Sequence, residues 1–252
     1  MNVITINNVI KNYNSNGLIV NAIRGVDLEI VSGGFAALAG PSGSGKTTLL
    51  NLIGGLDKPS EGCIIVNENQ LDSMSAKELS LLRLNEIGFI FQAYNLIPVL
   101  TAVENVEYIL LLQGVDKEER EERSIKMLKE VGLGKELNRK PSEMSGGQQQ
   151  RVAVARAIVS EPAIVLADEP TANLDQKTGA DLLDMMHSLN KNKGITFLFS
   201  THDSMVMDRA DRIIQLVDGK VIKDIRKKGK RKKAVTKKKE VKRTAKKVSK
   251  KK

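Results

Sequence analysis

Residues 34–56 read "GFAALAGPSGSGKTTLLNLIGGL". A short apolar run ends at Gly40, a stretch of glycine and serine follows, and apolar residues then recur at helical spacing (Leu49, Leu52, Ile53, Leu56). That order predicts a strand, a loop and a helix. Gly40 to Thr47, "GPSGSGKT", fits the pattern G-x-x-x-x-G-K-[ST]. Glycines in such a loop let successive backbone N–H groups point inward around phosphate oxygens. Lys46 adds a positive point charge for β- and γ-phosphates, and the Thr47 hydroxyl suits Mg²⁺. The candidate phosphate-binding residues are therefore Gly40, Pro41, Ser42, Gly43, Ser44, Gly45, Lys46, Thr47 and Thr48. The bland alternative is a glycine-rich turn. The strand before and the helix after argue against it.

Three further apolar runs share the character of the first. "IGFIFQ" ends at Gln92, "AIVLADE" at Asp168 and Glu169, and "ITFLFSTH" at His202. Continuous apolar runs of this length suit strands of a parallel sheet buried on both faces. In open α/β sheets ligands sit beyond the carboxyl ends of the strands. Gly40, Gln92, Asp168 and His202 each follow one such run, so polar groups from four parts of the chain are expected at one sheet edge. Asp168 can hold Mg²⁺, and Glu169 beside it can polarise an attacking water. Taken singly, Gln92 reads equally as a strand-end polar residue, and an isolated His202 reads first as a structural histidine; its place in line with the other three favours function.

Around these runs the chain changes character twice. Val3 to Ile30 is rich in Val, Ile and Asn with short alternations and predicts antiparallel strands; "CIIVNENQ" predicts another strand and a turn. From about residue 95 to 160 the pattern is helical, as in the charged amphipathic segment "DKEEREERSIKMLKEVGL", Asp116 to Leu133. "RIIQLVDGKVI" predicts a hairpin turning at Asp218-Gly219. His187, in "DLLDMMHSLN", reads as a solvated or packed helix residue.

Composition bounds the rest. With 252 residues, 41% of them hydrophobic but only 3% aromatic, the chain can build an aliphatic core. Cys63 is the single cysteine, which excludes an intramolecular disulfide and argues against a cysteine-ligated metal. The opening "MNVITINNVI" lacks the features of a secretory signal, and no run approaches the length of a membrane span. Charge is concentrated at one end: residues 226–252 hold 17 of the 40 Lys and Arg and one acid, Glu240. The remaining chain is mildly acidic, so it carries no basic footprint for nucleic acid.

One segment supplies a specific resemblance. "MSGGQQQR", Met144 to Arg151, resembles the signature motif of ATP-binding cassette (ABC) ATPases, commonly Leu-Ser-Gly-Gly-Gln, with Met144 replacing leucine. Other elements of that family follow in order: Gln92 matches the Q-loop glutamine, Asp175 in "ANLD" the D-loop aspartate, and His202 in "STHD" the switch histidine. Tyr13 stands where an aromatic residue usually stacks on adenine. The resemblance covers about residues 2 to 222. It implies an α/β fold, a P-loop NTPase core with an N-terminal antiparallel β-subdomain and an inserted α-helical subdomain. Residues 1–225 would form the ATP-binding domain, with the helical part at about 95–160. It implies an ATPase using ATP and Mg²⁺, with Glu169, His202 and Gln92 catalytic and Thr47, Gln92 and Asp168 around the metal. Ser145, Gly146, Gly147 and Gln148 would face the nucleotide held by a second copy, which makes a homodimer, with Asp175 near the shared site.

"FIFQAYNLIPVLTAVENV", "LADEPTANLD" and "MSGGQQQRVAVARA" resemble the branch of macrolide-efflux, lipoprotein-releasing and cell-division ATPases. That branch works with a separate membrane permease, which implies a cytoplasmic protein held peripherally at the inner face of the cell membrane. Tyr94, Leu96 and Ile97 would then line the groove for a permease helix, or belong to the domain's own core. Three readings stand for the lysine-rich tail, residues 226–252: a solvated, disordered extension, contact with anionic lipid headgroups, or non-specific phosphate contact with nucleic acid. A soluble ABC ATPase working on ribosomes or nucleic acid through that tail is the rival reading, and one cassette without a long coiled-coil insertion disfavours it.

Overall fold

The computed structural model describes residues 1–15 and 18–227. In chain order the strands are β1 (Asn2–Ser15), β2 (Leu18–Val31), β3 (Phe35–Ala39), β4 (Glu61–Val66), β5 (Asn69–Gln70), β6 (Ile87–Ile90), β7 (Ile164–Asp168), β8 (Thr196–Thr201), β9 (Arg212–Val217) and β10 (Lys220–Arg226). The helices are α1 (Lys46–Ile53), α2 (Ala76–Glu86), α3 (Ala102–Leu112), α4 (Lys117–Glu130), α5 (Gly146–Ile158), α6 (Gln176–Lys193) and α7 (Ser204–Arg209). The lysine-rich tail from residue 228 lies outside the described residues.

Two sheets result. One is antiparallel, in the order β2-β1-β4-β5. The other has the order β10-β9-β3-β8-β7-β6 and is parallel from β9 to β6, with β10 antiparallel at the edge. The uninterrupted apolar runs have a direct cause here. Side chains alternate across a strand, and both faces of this sheet are covered. Phe35, Ala37, Val165, Ala167, Phe197 and Phe199 point into one core, shared with α3 to α7. Ala36, Leu38, Ile164, Leu166 and Leu198 point into the other, shared with α1, α2 and the antiparallel sheet. Phe35, Phe197 and Phe199 meet with ring centroids 4.7 to 5.9 Å apart, so much of the small aromatic content sits in one place. His187 packs edge-on against Phe35 at 5.2 Å, which is the packed rather than the solvated reading.

Three helices start with reciprocal capping boxes: Ser75 with Glu78 on α2, Thr101 with Glu104 on α3, and Ser145 with Gln148 on α5. Each satisfies two end N–H groups, and losing the capping side chain costs about 1 kcal/mol. The helix α2 has no counterpart in the sequence reading. Helices α3, α4 and α5 all fall within the stretch expected to be helical. The β9–β10 turn has positive φ at both Asp218 and Gly219, as a two-residue Asp-Gly hairpin turn requires.

Candidate functional site

Strand register sets the site. Ala39 pairs with Thr201, Asp168 with Ser200, and Ile90 with Ala167, so β3, β6, β7 and β8 end together. The residues just past those ends, Gly40, Gln92, Glu169 and His202, therefore emerge at one edge. Beneath them is a cleft of about 700 Å³ lined by Lys46, Thr47, Gln92, Glu169 and His202, among others.

The loop of residues 40–47 wraps the N-terminus of α1. Gly45 caps the helix with φ 100°, and a Cβ there would lie 2.7 Å from the Ala22 carbonyl oxygen. Both the backbone region and the space demand glycine. Gly45→Ala should therefore add about 1–3 kcal/mol of strain, enough to lower ATP affinity roughly ten- to hundredfold in an equilibrium titration; unchanged affinity would mean that the loop does not hold the phosphates. The Lys46 ammonium donates to the carbonyl oxygens of Gly40 and Pro41, both at 2.9 Å, and is almost fully buried. A cation satisfied only by neutral carbonyls is well placed to exchange them for phosphate oxygens. Ser44 Oγ is buried with no hydrogen-bond partner, and Ser44 does not line the cleft.

The residues fit a hard divalent cation. Thr47 Oγ1 donates to both Asp168 carboxylate oxygens at 3.2 and 3.3 Å, and no cluster of three or more His, Cys, Asp or Glu that could hold a metal exists among the described residues. Two oxygen donors are too few for a protein cage. They match Mg²⁺, which is typically held by one or two protein oxygens and completed by phosphates and water.

Glu169 sits in the left-handed region at φ 45°. Its N–H donates to the Ser200 carbonyl oxygen at 2.9 Å, and its Oε1 lies 2.7 Å from His202 Nδ1. Thr201 Oγ1 stands 3.4 Å from the other carboxylate oxygen. The histidine is exposed on the cleft side while the glutamate is largely covered, so the pair presents a held carboxylate to the space above Lys46. The Gln92 side chain is exposed on the cleft, while the backbone carbonyl of Gln92 accepts from Asn173 Nδ2 at 2.8 Å.

The remaining candidates lie elsewhere. Ser145, Gly146, Gly147 and Gln148 form the N-terminal turn of α5, and none of them lines the cleft. Their glycines have a reason within this chain: a Cβ on Gly147 would lie 2.4 Å from Thr178 Cγ2. Asp175 caps α6 and also stays off the cleft. A hydrogen bond from the Thr178 hydroxyl, then backbone N–H groups, holds its carboxyl below the usual carboxylate range. Tyr13 does not line the cleft, but Val20, its partner across the β1–β2 ladder, does. The Tyr13 hydroxyl donates to Asp57 at 2.8 Å, and the Lys11 ammonium lies 4.8 Å from its ring centre. Burial and the Asp57 carboxylate push the phenol's pKa up. Tyr94 and Leu96 are half-buried, with Leu96 on the helical core; Ile97 lines a separate groove.

Sequence reading missed one wall of the cleft, formed by Asn21, Ala22 and Arg24 of β2 and by the Asp218-Gly219 turn. Gly219 N–H donates to the Ser44 carbonyl at 3.0 Å, and Arg24 N–H to the Gly219 carbonyl at 2.9 Å. The Asp-Gly hairpin thus braces the phosphate loop from behind. Nothing local in β2 signals this.

Comparisons with known proteins identify the family and agree with the fold. The family model described as "ABC transporter" matches residues 23–172. The lipoprotein-releasing system ATP-binding protein LolD of Legionella pneumophila is 43% identical over 217 residues, 86% of this chain and 96% of LolD. The macrolide export ATP-binding/permease protein MacB of Brucella melitensis is 41% identical over 88% of this chain, which spans 34% of MacB. Among solved structures, the dimeric post-hydrolysis state of the ATP-binding cassette MJ0796 of Methanocaldococcus jannaschii, bound to ADP and Pi, superposes with a TM-score of 0.83. It is 43% identical and covers 90% of this chain and 99% of its own. The chain belongs to the ABC transporter family and is one of its ATPase cassettes.

Proposed function

We propose that the chain works as one of two identical cassettes that close on each other around ATP and drive a separate membrane permease. The observation that carries this reading is the separation of its two phosphate-directed features. The cleft over residues 40–47 holds Lys46, Glu169 and His202, while the glycine-rich start of α5 faces elsewhere. The Gly146 and Gly147 N–H groups open a helix and have no intrahelical acceptor, and a helix N-terminus favours an anion. A second copy, placed head to tail, supplies each helix with a triphosphate and each cleft with a lid. The dimeric state of MJ0796 supports the same assembly.

In the closed pair Lys46 and the loop amides hold the phosphates of ATP, and Gln92 and the Ser145–Gln148 turn fix the γ-phosphate end. Thr47, Gln92 and Asp168 would hold Mg²⁺, whose charge would offset that of the phosphates. Glu169 takes the proton of the attacking water, and His202 keeps its carboxylate oriented through the 2.7 Å contact. Tyr13, paired across the strand ladder with Val20 of the cleft wall, would offer its ring to adenine from beside the cleft. Phosphoryl transfer asks mainly for such positioning and charge, and hydrolysis removes the γ-phosphate that holds the two copies together.

No helix among the described residues is long and apolar enough to cross a membrane; in this reading the membrane-spanning part is the separate permease. A groove of about 450 Å³, lined by Leu84, Phe91, Ile97, Tyr108 and Leu112, separates α2 from α3 and the segment after Gln92. Leu112 and Tyr108 are exposed there, which suits the apolar face of a short permease helix. This would hold the chain at the cytoplasmic face of the membrane. Leu112→Glu should abolish co-purification with the permease, an interface loss of about 2 kcal/mol or more, while ATP hydrolysis by the isolated cassette stays near the parent rate. Retained capture would place the permease elsewhere.

A further inference from the structure

The buried glutamine Gln150 has no role in the chemistry above. It lies two helical positions past Gln148 and is completely covered, with Val152, Ala153 and Val154 equally buried beyond it. Its Nε2 donates to the carbonyl oxygen of Pro170 at 2.8 Å, and its Oε1 has no hydrogen-bond partner. An apolar side chain of similar length would suit this core without desolvating an amide. The bond therefore matters for what it holds.

What it holds is the residue after the base. Glu169 occupies a strained left-handed conformation that persists only when its surroundings over-determine it. Its carboxylate meets His202 and Thr201, its carbonyl accepts from Ala172 N–H at 3.2 Å, and further restraints on this turn come from three directions. Ser200 at the end of β8 takes the Glu169 N–H at 2.9 Å. Thr171 Oγ1 donates to Asp203, the residue after His202, at 2.8 Å. Gln150 fixes the carbonyl between them from α5.

We infer that Gln150 is a positioning residue for Glu169: by holding the Pro170 carbonyl it sets the aim of the catalytic carboxylate from the helix that begins at Ser145. The base of one cleft then follows the same rigid helix that, in the two-copy reading, meets the other copy's nucleotide. The positioning itself rests only on ATPase activity; the link between copies rests on that reading.

The test uses the full chain. Gln150→Met keeps length and packing and removes the donor, and Gln150→Asn, one methylene short of Pro170, serves where the first does not fold. The expected result is a fall in kcat of roughly 10²-fold, the scale of a displaced catalytic group, with KM for ATP and the melting temperature near the parent values. A parent kcat would overturn the inference. The same substitution made together with Glu169→Gln should leave ATP-dependent dimerisation as Glu169→Gln alone has it. Loss of dimerisation only in the double variant would mean that Gln150 serves the seating of α5, and would overturn the positioning role. Failure of Glu169→Gln itself to dimerise would count against the two-copy reading and leave the kcat measurement to decide Gln150.

Discussion

Glu169→Gln should lower ATP turnover by about 10²–10⁴-fold, the contribution typical of a positioned general base, while ATP still binds and an ATP-bound dimer is expected to accumulate. The substitution keeps the size of the side chain and its bond to His202, because an amide oxygen or nitrogen can meet Nδ1 at the observed 2.7 Å. It removes the ability to take a proton. Lys46, Thr47 and Asp168 are untouched, so the nucleotide is held as before and the step that separates the two copies is slow. Size-exclusion chromatography with and without MgATP, beside a phosphate-release assay, reads both consequences. A variant with parent turnover would remove Glu169 from the role of base and leave water activation to another group in the cleft.

Much of this site could be read in the chain because its parts are local. "GPSGSGKT" dictates its own geometry: the positive φ of Gly43 and Gly45 is what the glycines are for. The apolar runs before Gly40, Gln92, Asp168 and His202 are continuous because both faces of each strand meet a core, so the runs themselves announced a shared edge. Elements whose place depends on tertiary contact were harder to read. Helix α2, "AKELSLLRLNE", buries only Leu79 and Leu82 and leaves Leu81 exposed, so its apolar pattern is faint. The Ser75–Glu78 capping box was the available signal. The wall built by β2 and the Asp218-Gly219 turn has no local signature, because it arises from the packing of a hairpin from the end of the chain against the first one. Gly147 shows a different limit. Its sequence context suggests an anion site, yet the 2.4 Å approach of Thr178 to a would-be Cβ shows that packing against α6 also forbids a side chain.

That double demand at the start of α5 makes Ser145 the better position for probing assembly. Ser145 is exposed, and its backbone N–H and hydroxyl exchange hydrogen bonds with Gln148 at 3.0 and 3.3 Å. Ser145→Arg costs the helix about 1 kcal/mol through the lost cap, which a core of this size tolerates. It also sets a bulky cation where the other copy's γ-phosphate would sit, displacing the helix N–H groups from it. Because Ser145 does not line the cleft of its own chain, ATP binding by the monomer should be unchanged, while dimerisation and hydrolysis are lost. Lys46→Ala should give the opposite defect, an intact signature turn beside a loop that cannot hold ATP. Mixing the two inactive variants then distinguishes one-chain from two-chain sites. In a head-to-tail pair, the Ser145→Arg chain brings a sound loop and the Lys46→Ala chain a sound turn, so one of the two composite sites is whole. The other pairs the arginine with a loop that holds no nucleotide, leaving the side chain room. Random association of equal amounts restores up to about a quarter of the parent sites. Recovered phosphate release in the mixture, absent from either variant alone, requires that each site draw residues from two chains; a mixture as inactive as its components would mean that the Ser145–Gln148 turn serves its own chain's cleft.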